Sequence, residues 1–329
     1  MYTSLGCIHY HELVFFKLLV NESLKREHKF MKALKAITLS IGDLDKLVVS
    51  KYQFGLIVNN IYRNKVYGGK NVNLQKDFAE KTDINKYLNL LLDEGVLSPH
   101  KNLPNTFTLL GRSGGDPEDI ACTVDPFCYM SHLSAMSYHA LTDRIPGKLY
   151  ISSPPASTWR SFAKKQMRKD LSDDYENYCM NGLPLLVRTK MIKINKMEVH
   201  CFSSKHLGAY KRVRGRPLRV STVGRTFLEM LRNPELSGGI NHVLDVFEEY
   251  GKKYLRLITD DIDKHGAPID KVRAGYILKE RLGIDSEVVE SWSLFAQRGG
   301  SRKLDSSSEY IADWSDKWKI SINIFRNKG

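Results

Sequence analysis

Apolar residues fall at helical spacing soon after residue 50. Phe54, Ile57, Val58, Ile61 and Tyr62 line one face of a helix that fades at Tyr67-Gly68-Gly69. The pattern predicts a short second helix over 73–80. A third follows, with Thr82 or Asp83 as its cap, Ile84, Tyr87, Leu88, Leu91 and Leu92 turned inward, and Gly95 at its end. Val96-Leu97 opens a strand, Ser98 to Asn105 are turn formers, and Thr106 to Leu110 return as a second strand. Three helices leading into a two-stranded ribbon is the order of a winged helix-turn-helix. The string LLLDEGVL, a helix running straight into an apolar strand, strengthens that reading. A three-helix adaptor with no nucleic acid is the alternative.

The stretch Gly111 to Asp119, GRSGGDPED, interrupts the periodicity and reads as a linker. Its glycines lack both the Lys-Ser/Thr of a phosphate loop and the G-x-G-x-x-G of a dinucleotide fold. Beyond it the pattern predicts helices over 131–140 and 159–171, a strand over 148–151 and paired strands within 185–202. The best-defined segment is Pro217 to Tyr250. Leu218 and Val220 have strand spacing, and Ser221 or Thr222 caps a helix whose inward residues are Val223, Phe227, Met230 and Leu231. Asn233-Pro234 stops that helix, Ser237-Gly238-Gly239 turns the chain, and a second helix runs to Gly251. Arg225 and Glu229, one helical turn apart, read as a structural pair. Helices over Tyr254 to His265 and Ile269 to Leu282 follow. Near the end, Trp318, Ile320, Ile322 and Ile324 alternate with polar residues, as in a half-buried edge strand.

These elements predict an α+β chain: an N-terminal extension over 1–30, with Met31 a candidate start, a winged helix-turn-helix over 31–110, a linker over 111–119 and a larger mixed α+β domain over 120–325. The apolar run LVFFKLLV is far shorter than the ~20 residues a membrane span needs. No basic residue precedes it and no cleavage site follows, so neither a membrane partner nor a signal peptide is expected.

Charge changes the picture. The 329 residues carry 50 Lys+Arg against 37 Asp+Glu, a net +13. That excess favours a polyanionic partner through the field of the whole surface and counterion release. On the third helix, Lys81, Thr82, Asn85, Lys86 and Asn89 point outward. Asn matches the edge of adenine, and Lys reaches guanine or phosphate. His100, Lys101 and Asn102 fall at the tip of the ribbon, where a wing meets the DNA backbone. A second basic group is Arg160, Lys164, Lys165 and Arg168, in which Lys164 and Arg168 are like charges at i,i+4 and repel. A third is Lys211, Arg212, Arg214 and Arg216, within a run from Lys205 to Arg219 whose spacing of about two projects charge from one face of a ribbon. Singly, each is an ordinary solvated group; only the clustering makes it a candidate.

Evidence for other chemistry is thin. The five cysteines form no C-x-x-C pair and read as reduced thiols of a cytosolic protein. His132 and His139 lack a third ligand at metal spacing, so no metal or cofactor is expected. Gly300-Ser301 with Asp313 and Asp316 loosely matches a nucleotidyltransferase pattern, but the carboxylates are three apart rather than two. Asp260, Asp261 and Asp263 sit on a predicted helix, and Glu198-Val199-His200 is a poor nuclease motif. No catalytic residue is assigned. An enzyme acting on nucleic acid, or modifying a partner protein, is the rival reading. An RNA-binding adaptor would need aromatic residues among the basic strands, for which Tyr210 beside Lys211 and Arg212 is the obvious candidate.

Four segments carry a resemblance: HLSAMSYHALTDRIPGKLYISSP, RGRPLRVSTVGRTFLEMLRNPELSGGINHVLDVFEEY, APIDKVRAGYILKERLG and WSDKWKISINI. Through them the chain resembles the AbiEi-type antitoxins of bacterial type IV toxin–antitoxin systems. The resemblance implies a winged helix that binds inverted repeats at the promoter of its own operon and represses it. It also implies a C-terminal antitoxin domain and a functional partner, a nucleotidyltransferase-like toxin, with no stable complex required. It gives no role to the first thirty residues.

Overall fold

The computed structural model describes residues 30–112, 114–205, 207–297 and 302–324. The N-terminal extension up to residue 29 and the Gly300-Ser301 pair lie outside the described residues. The chain is mixed α+β and divides into two compact units. Of the described residues, the first takes 30–100, 104–112 and 163–187; the second takes 101–103, 114–162, 188–205, 207–297 and 302–324. The segment 163–187, which the sequence reading assigned to the 120–325 domain, thus belongs to the first unit.

In the first unit the order is β1 (Phe30–Lys32), α1 (Ala33–Gly42), β2 (Val48–Ser50), α2 (Lys51–Asn64), β3 (Val66–Tyr67), β4 (Lys70–Asn73), α3 (Lys81–Asp93), β5 (Leu97–Pro99) and β6 (Thr106–Leu109). Strands β2, β6 and β5 form an antiparallel sheet with β6 in the middle. Ser50 starts α2 with a reciprocal capping box. Its hydroxyl accepts from the Gln53 amide at 3.2 Å, and the Gln53 side chain accepts from the Ser50 amide at 3.0 Å. Ile37, Phe54, Val58, Ile84 and Leu91 are fully buried in one core. Met167, Leu171, Tyr178 and Leu183 from the returning segment complete that core.

The helix predicted over 73–80 does not form. Gly68 and Gly69 both take positive φ, +54° and +74°, as a two-residue hairpin turn requires. They fold β4 back on β3, and β1 joins β4 in parallel, so the backbone through Asn73 pairs as a strand. The three helices are therefore α1, α2 and α3. The cap of α3 is Glu80, whose amide donates to the Asp83 side chain at 3.0 Å, rather than Thr82 or Asp83.

The second unit is built on a six-stranded mixed sheet in the order β11 (Tyr210–Arg212), β12 (Arg219–Ser221), β7 (Tyr129–Met130), β8 (Lys148–Ser153), β10 (Met197–Ser203), β9 (Lys193–Ile194). Strands β8 and β10 run parallel in register from Lys148–Glu198 to Ser153–Ser203. Residues 185–192 form no strand, so the pairing predicted across 185–202 shrinks to β9 and β10. Helices α4 (Pro117–Val124) and α5 (His132–Tyr138) lead into and out of β7, and α6 (Ala156–Leu171) follows β8. The chain passes from the second unit to the first within α6 and carries α7 (Tyr175–Met180) with it.

The Pro217 to Tyr250 segment folds as its pattern predicts. Thr222 caps α8 (Val223–Arg232), accepting from the Arg225 amide at 3.2 Å. Pro234 opens a single 3₁₀ turn, Gly238 and Gly239 take φ of +91° and +92°, and α9 (Ile240–Tyr250) follows. Helices α10 (Leu255–His265) and α11 (Pro268–Gly275), then a π-helical turn over Tyr276–Arg281 and α12 (Glu287–Ser291), complete the helical part. Phe227, Phe247, Ile258, Ile262, Ile277, Trp292 and Trp318 share its core.

The terminal alternation is not an edge strand. Trp318 and Ile320 are buried, but so are Ser321 and Asn323, and only isolated bridges tie Ser321 to Lys303 and Trp314. Asn323 is buried because its side-chain amide donates to the carbonyls of Asp305 and Glu309 at 3.0 and 2.9 Å, and its oxygen accepts from the Asp305 amide. Among the described residues, no helix is long and apolar enough to cross a membrane.

Helices α8 and α10 meet at Gly224. A Cβ there would lie 2.0 Å from the Leu257 carbonyl oxygen and 2.4 Å from an Asp261 carboxylate oxygen. Backbone cannot retreat as a flexible side chain can, so Gly224→Ala is expected to force the two helices apart. The expected loss is about 1–3 kcal/mol, read from urea unfolding.

Candidate nucleic-acid interface

Helix α3 buries Ile84, Tyr87, Leu88 and Leu91 and turns Lys81, Thr82, Asn85, Lys86 and Asn89 outward. All five sequence-predicted residues are exposed and share one helix. The Lys86 ammonium sits 5.6 Å from the Tyr87 ring centre, which orders the stem without neutralising the charge. The helix N-terminus presents a partial positive charge, but Glu80 and Asp83 lie there, and Lys76 bridges them at 3.1 and 3.4 Å. The net field at that end is therefore mixed.

The ribbon tip divides. His100 belongs to the first unit with α3, half-buried, its amide donating to the Thr106 carbonyl. Lys101 and Asn102 group with the second unit, the lysine exposed and the asparagine half-buried. The structure thus brings His100 together with the α3 set in one unit and does not do so for Lys101 and Asn102.

The other basic groups divide as well. Arg160 lies in the second unit, whereas Lys164, Lys165 and Arg168 lie in the first. Arg168 packs over the Tyr175 ring at 4.7 Å and approaches Glu176 at 3.7 Å. In the third group Lys211, Arg212 and Arg214 are exposed. Arg216 instead reaches back to α4 and its approach, pairing with Asp116 at 2.7 Å, Asp119 at 3.0 Å and Glu118 at 3.5 Å. It is a clamp on the old linker, not a projecting charge. Arg219, at the end of the same run, is buried and donates to the carbonyls of Cys122, Asp125 and Cys128. Alternation alone did not reveal this, because the acceptors are about 90 residues upstream.

A buried polar network links the sheet of the second unit to α8. Glu229 accepts from the Tyr129 hydroxyl at 2.8 Å, from Arg225 Nε at 3.0 Å and from the His132 amide at 3.4 Å. His132 Nδ1 lies 2.9 Å from the Ser131 hydroxyl, which accepts from Ser152 at 2.9 Å. Burial pushes the His132 imidazole down, with Glu229 partly opposing it. Burial, then Glu229, pushes the Tyr129 phenol up. Arg225 and Glu229 are 2% and 4% exposed, so the expected pair is present and sealed from solvent.

The rival enzymatic positions are also placed. Asp313 and Asp316 are exposed, and Asp316 faces Lys319 at 3.8 Å. Asp260 pairs with Arg256, Asp261 accepts from Thr222, and Asp263 binds Lys271 and the Trp292 indole. Glu198 pairs with Lys148 at 2.9 Å. Among the described residues no group of three His, Cys, Asp or Glu converges as metal ligands would, and the four cysteines there are free thiols.

No family model matches this sequence, and no curated protein matches it. Among solved structures, the chain is similar to the crystal structure of the RV2827C protein from Mycobacterium tuberculosis, with a TM-score of 0.45 and 12% identity over 88% of this chain and 90% of that one. A likeness at that level carries no argument about what this chain does.

Two outcomes test the network. Glu229→Ala leaves Arg225 charged and buried without its carboxylate, with an expected loss of about 3–5 kcal/mol in urea unfolding. Replacing both, as Arg225→Met with Glu229→Leu, is expected to cost less than the single change. Acidity provides the second test. The imidazoles of His132, His139, His242 and His265 are all pushed below the usual 6.5, with burial the largest cause in each. The unfolded chain then binds protons more tightly than the folded one, so stability is complete above about pH 6.5 and falls as pH drops below it. Urea midpoints at about pH 7.5 and 5.5 measure the fall. His132→Asn, which suits the positive φ of 49° at that residue, is expected to reduce it.

Proposed function

We propose that this chain is a DNA-binding repressor of its own operon and the antitoxin of a type IV toxin–antitoxin pair. In this reading the first unit is a winged helix-turn-helix, α3 is its recognition helix, and β5 and β6 form its wing. The observation that carries it is the order α1, β2, α2, α3, β5, β6 with an antiparallel β2-β6-β5 sheet, together with five exposed DNA-compatible side chains on α3. A helix presented in this way fits the major groove by its N-terminal half, with Asn85 and Asn89 suited to base edges and Lys81 and Lys86 to phosphate or guanine. The antitoxin role rests on the resemblance of the second unit to AbiEi-type proteins, with a nucleotidyltransferase-like toxin as its functional partner.

The test is a gel shift on the intergenic DNA upstream of the gene. Specific binding should weaken steeply with salt, by about 0.9 in log–log slope for each phosphate contacted. Asn89→Ala is expected to cost about 1–3 kcal/mol and relax sequence preference, whereas Lys81→Ala should lower affinity for all sequences alike. Rescue from the toxin should survive both. If neither substitution changes binding, α3 is not the recognition helix.

A further inference from the structure

The second unit ends on an open strand. Strand β11 pairs with β12 on one side and is the last strand of its sheet. Its three residues, Tyr210, Lys211 and Arg212, are all exposed. Alternation sends Tyr210 and Arg212 to one face and Lys211 to the other, so the edge carries an aromatic ring with charge on both sides.

Tyr210 is not a loose surface ring. It stacks on Tyr129 with ring centres 5.3 Å apart and planes 17° from parallel, yet remains 43% exposed. Tyr129 beneath it is completely buried and is held by Glu229. One face of Tyr210 is therefore fixed against a rigid partner, and its exposure lies away from that partner. A second aromatic pair lies beside the neighbouring strand β12. His139 at the end of α5 bonds the Ser221 carbonyl at 2.6 Å, and Ser221 is the residue opposite Tyr210. Its neighbour Tyr138, 41% exposed, meets the His139 ring edge-on at 5.2 Å. Arg214, in the turn that follows β11, is exposed. Arg216 is satisfied by three carboxylates, whereas among the described residues Lys211, Arg212 and Arg214 have no carboxylate partner.

We propose that the β11 edge is a binding site for single-stranded nucleic acid, with a base stacked on Tyr210 and the phosphate chain carried by Lys211, Arg212 and Arg214. An exposed ring beside cations that have no carboxylate partner among the described residues is what such ligands use: every base has a face to stack, and the backbone follows the charge. A duplex offers its phosphates but keeps its bases stacked on one another, so the Tyr210 ring gains nothing from it. An acidic peptide would answer the cations but leaves the anchored ring unused. The site lies on the second unit and does not rest on the operator reading.

The test uses the full chain and fluorescence anisotropy with three labelled probes of about twelve nucleotides: oligouridine, oligodeoxythymidine and a duplex. Binding of both single strands should depend on Tyr210 and binding of the duplex should not, and the ratio of the two single strands reports whether the 2′-hydroxyl is read. Tyr210→Ala should weaken single-strand binding about 5- to 150-fold, with Tyr210→Trp retaining it. The Lys211→Ala and Arg212→Ala double variant should lower the salt slope by about 1.4. Circular dichroism and a thermal melt of each variant separate lost binding from lost folding, and the folded Tyr210→Trp variant keeps the stacking arm readable. Full retention in folded Tyr210→Ala, or displacement by oligoglutamate as effective as by unlabelled oligouridine, would each overturn the proposal.

Discussion

The buried contact between Arg225 and Glu229 organises the second unit. Removing two charges from water costs several kcal/mol for each, and their attraction repays it only when geometry and additional hydrogen bonds are good. Here Glu229 serves Arg225, the Tyr129 hydroxyl and the His132 amide together. Helix α8, strand β7 and the start of α5 are thereby held to one carboxylate, and none can shift without exposing a polar group to an apolar core. The tight passage of α10 over Gly224 has the same effect from the other side of α8. A hub built this way is rigid by necessity. The surfaces attached to it, including the stacked Tyr210, inherit that rigidity.

How much of this was legible in the sequence depended on distance along the chain. The α8 to α9 segment was, because cap, stop and turn are each decided within a few residues: Thr222, Pro234, Gly238. The buried face of α3 was legible for the same reason. The helix expected over 73–80 failed where a local pattern met a tertiary competitor, since the pairing of β4 with β1 depends on Phe30–Lys32, more than 35 residues away. The terminal segment failed because period-2 alternation assumes that polar residues seek water. Asn323 and Ser321 found protein partners instead, and no spacing rule anticipates that.

The candidate site shows the same division. The exposure of Lys81, Thr82, Asn85, Lys86 and Asn89 follows directly from helical periodicity, so the residues that matter for the DNA reading could be chosen from sequence. The basic run from Lys205 to Arg219 could not be resolved in the same way. Charge is visible in a sequence, but its pairing is not: Arg216 is neutralised by a cluster around Asp119 and Arg219 is consumed by backbone carbonyls, leaving Lys211, Arg212 and Arg214 exposed. Nor did the sequence show that Lys164, Lys165 and Arg168 belong with the first unit.

That last arrangement bears on how the chain is made. Met167, Leu171, Tyr178 and Leu183 are part of the first core, yet they follow most of the first half of the second unit's sheet in order of synthesis. Domains usually fold as units from the N-terminus during translation. Here the core of the earlier unit is incomplete while residues 114–162 are made, and it can close only after Leu183 has left the ribosome. The order of synthesis thus leaves part of the first core unpaired for the time it takes to make the intervening segment.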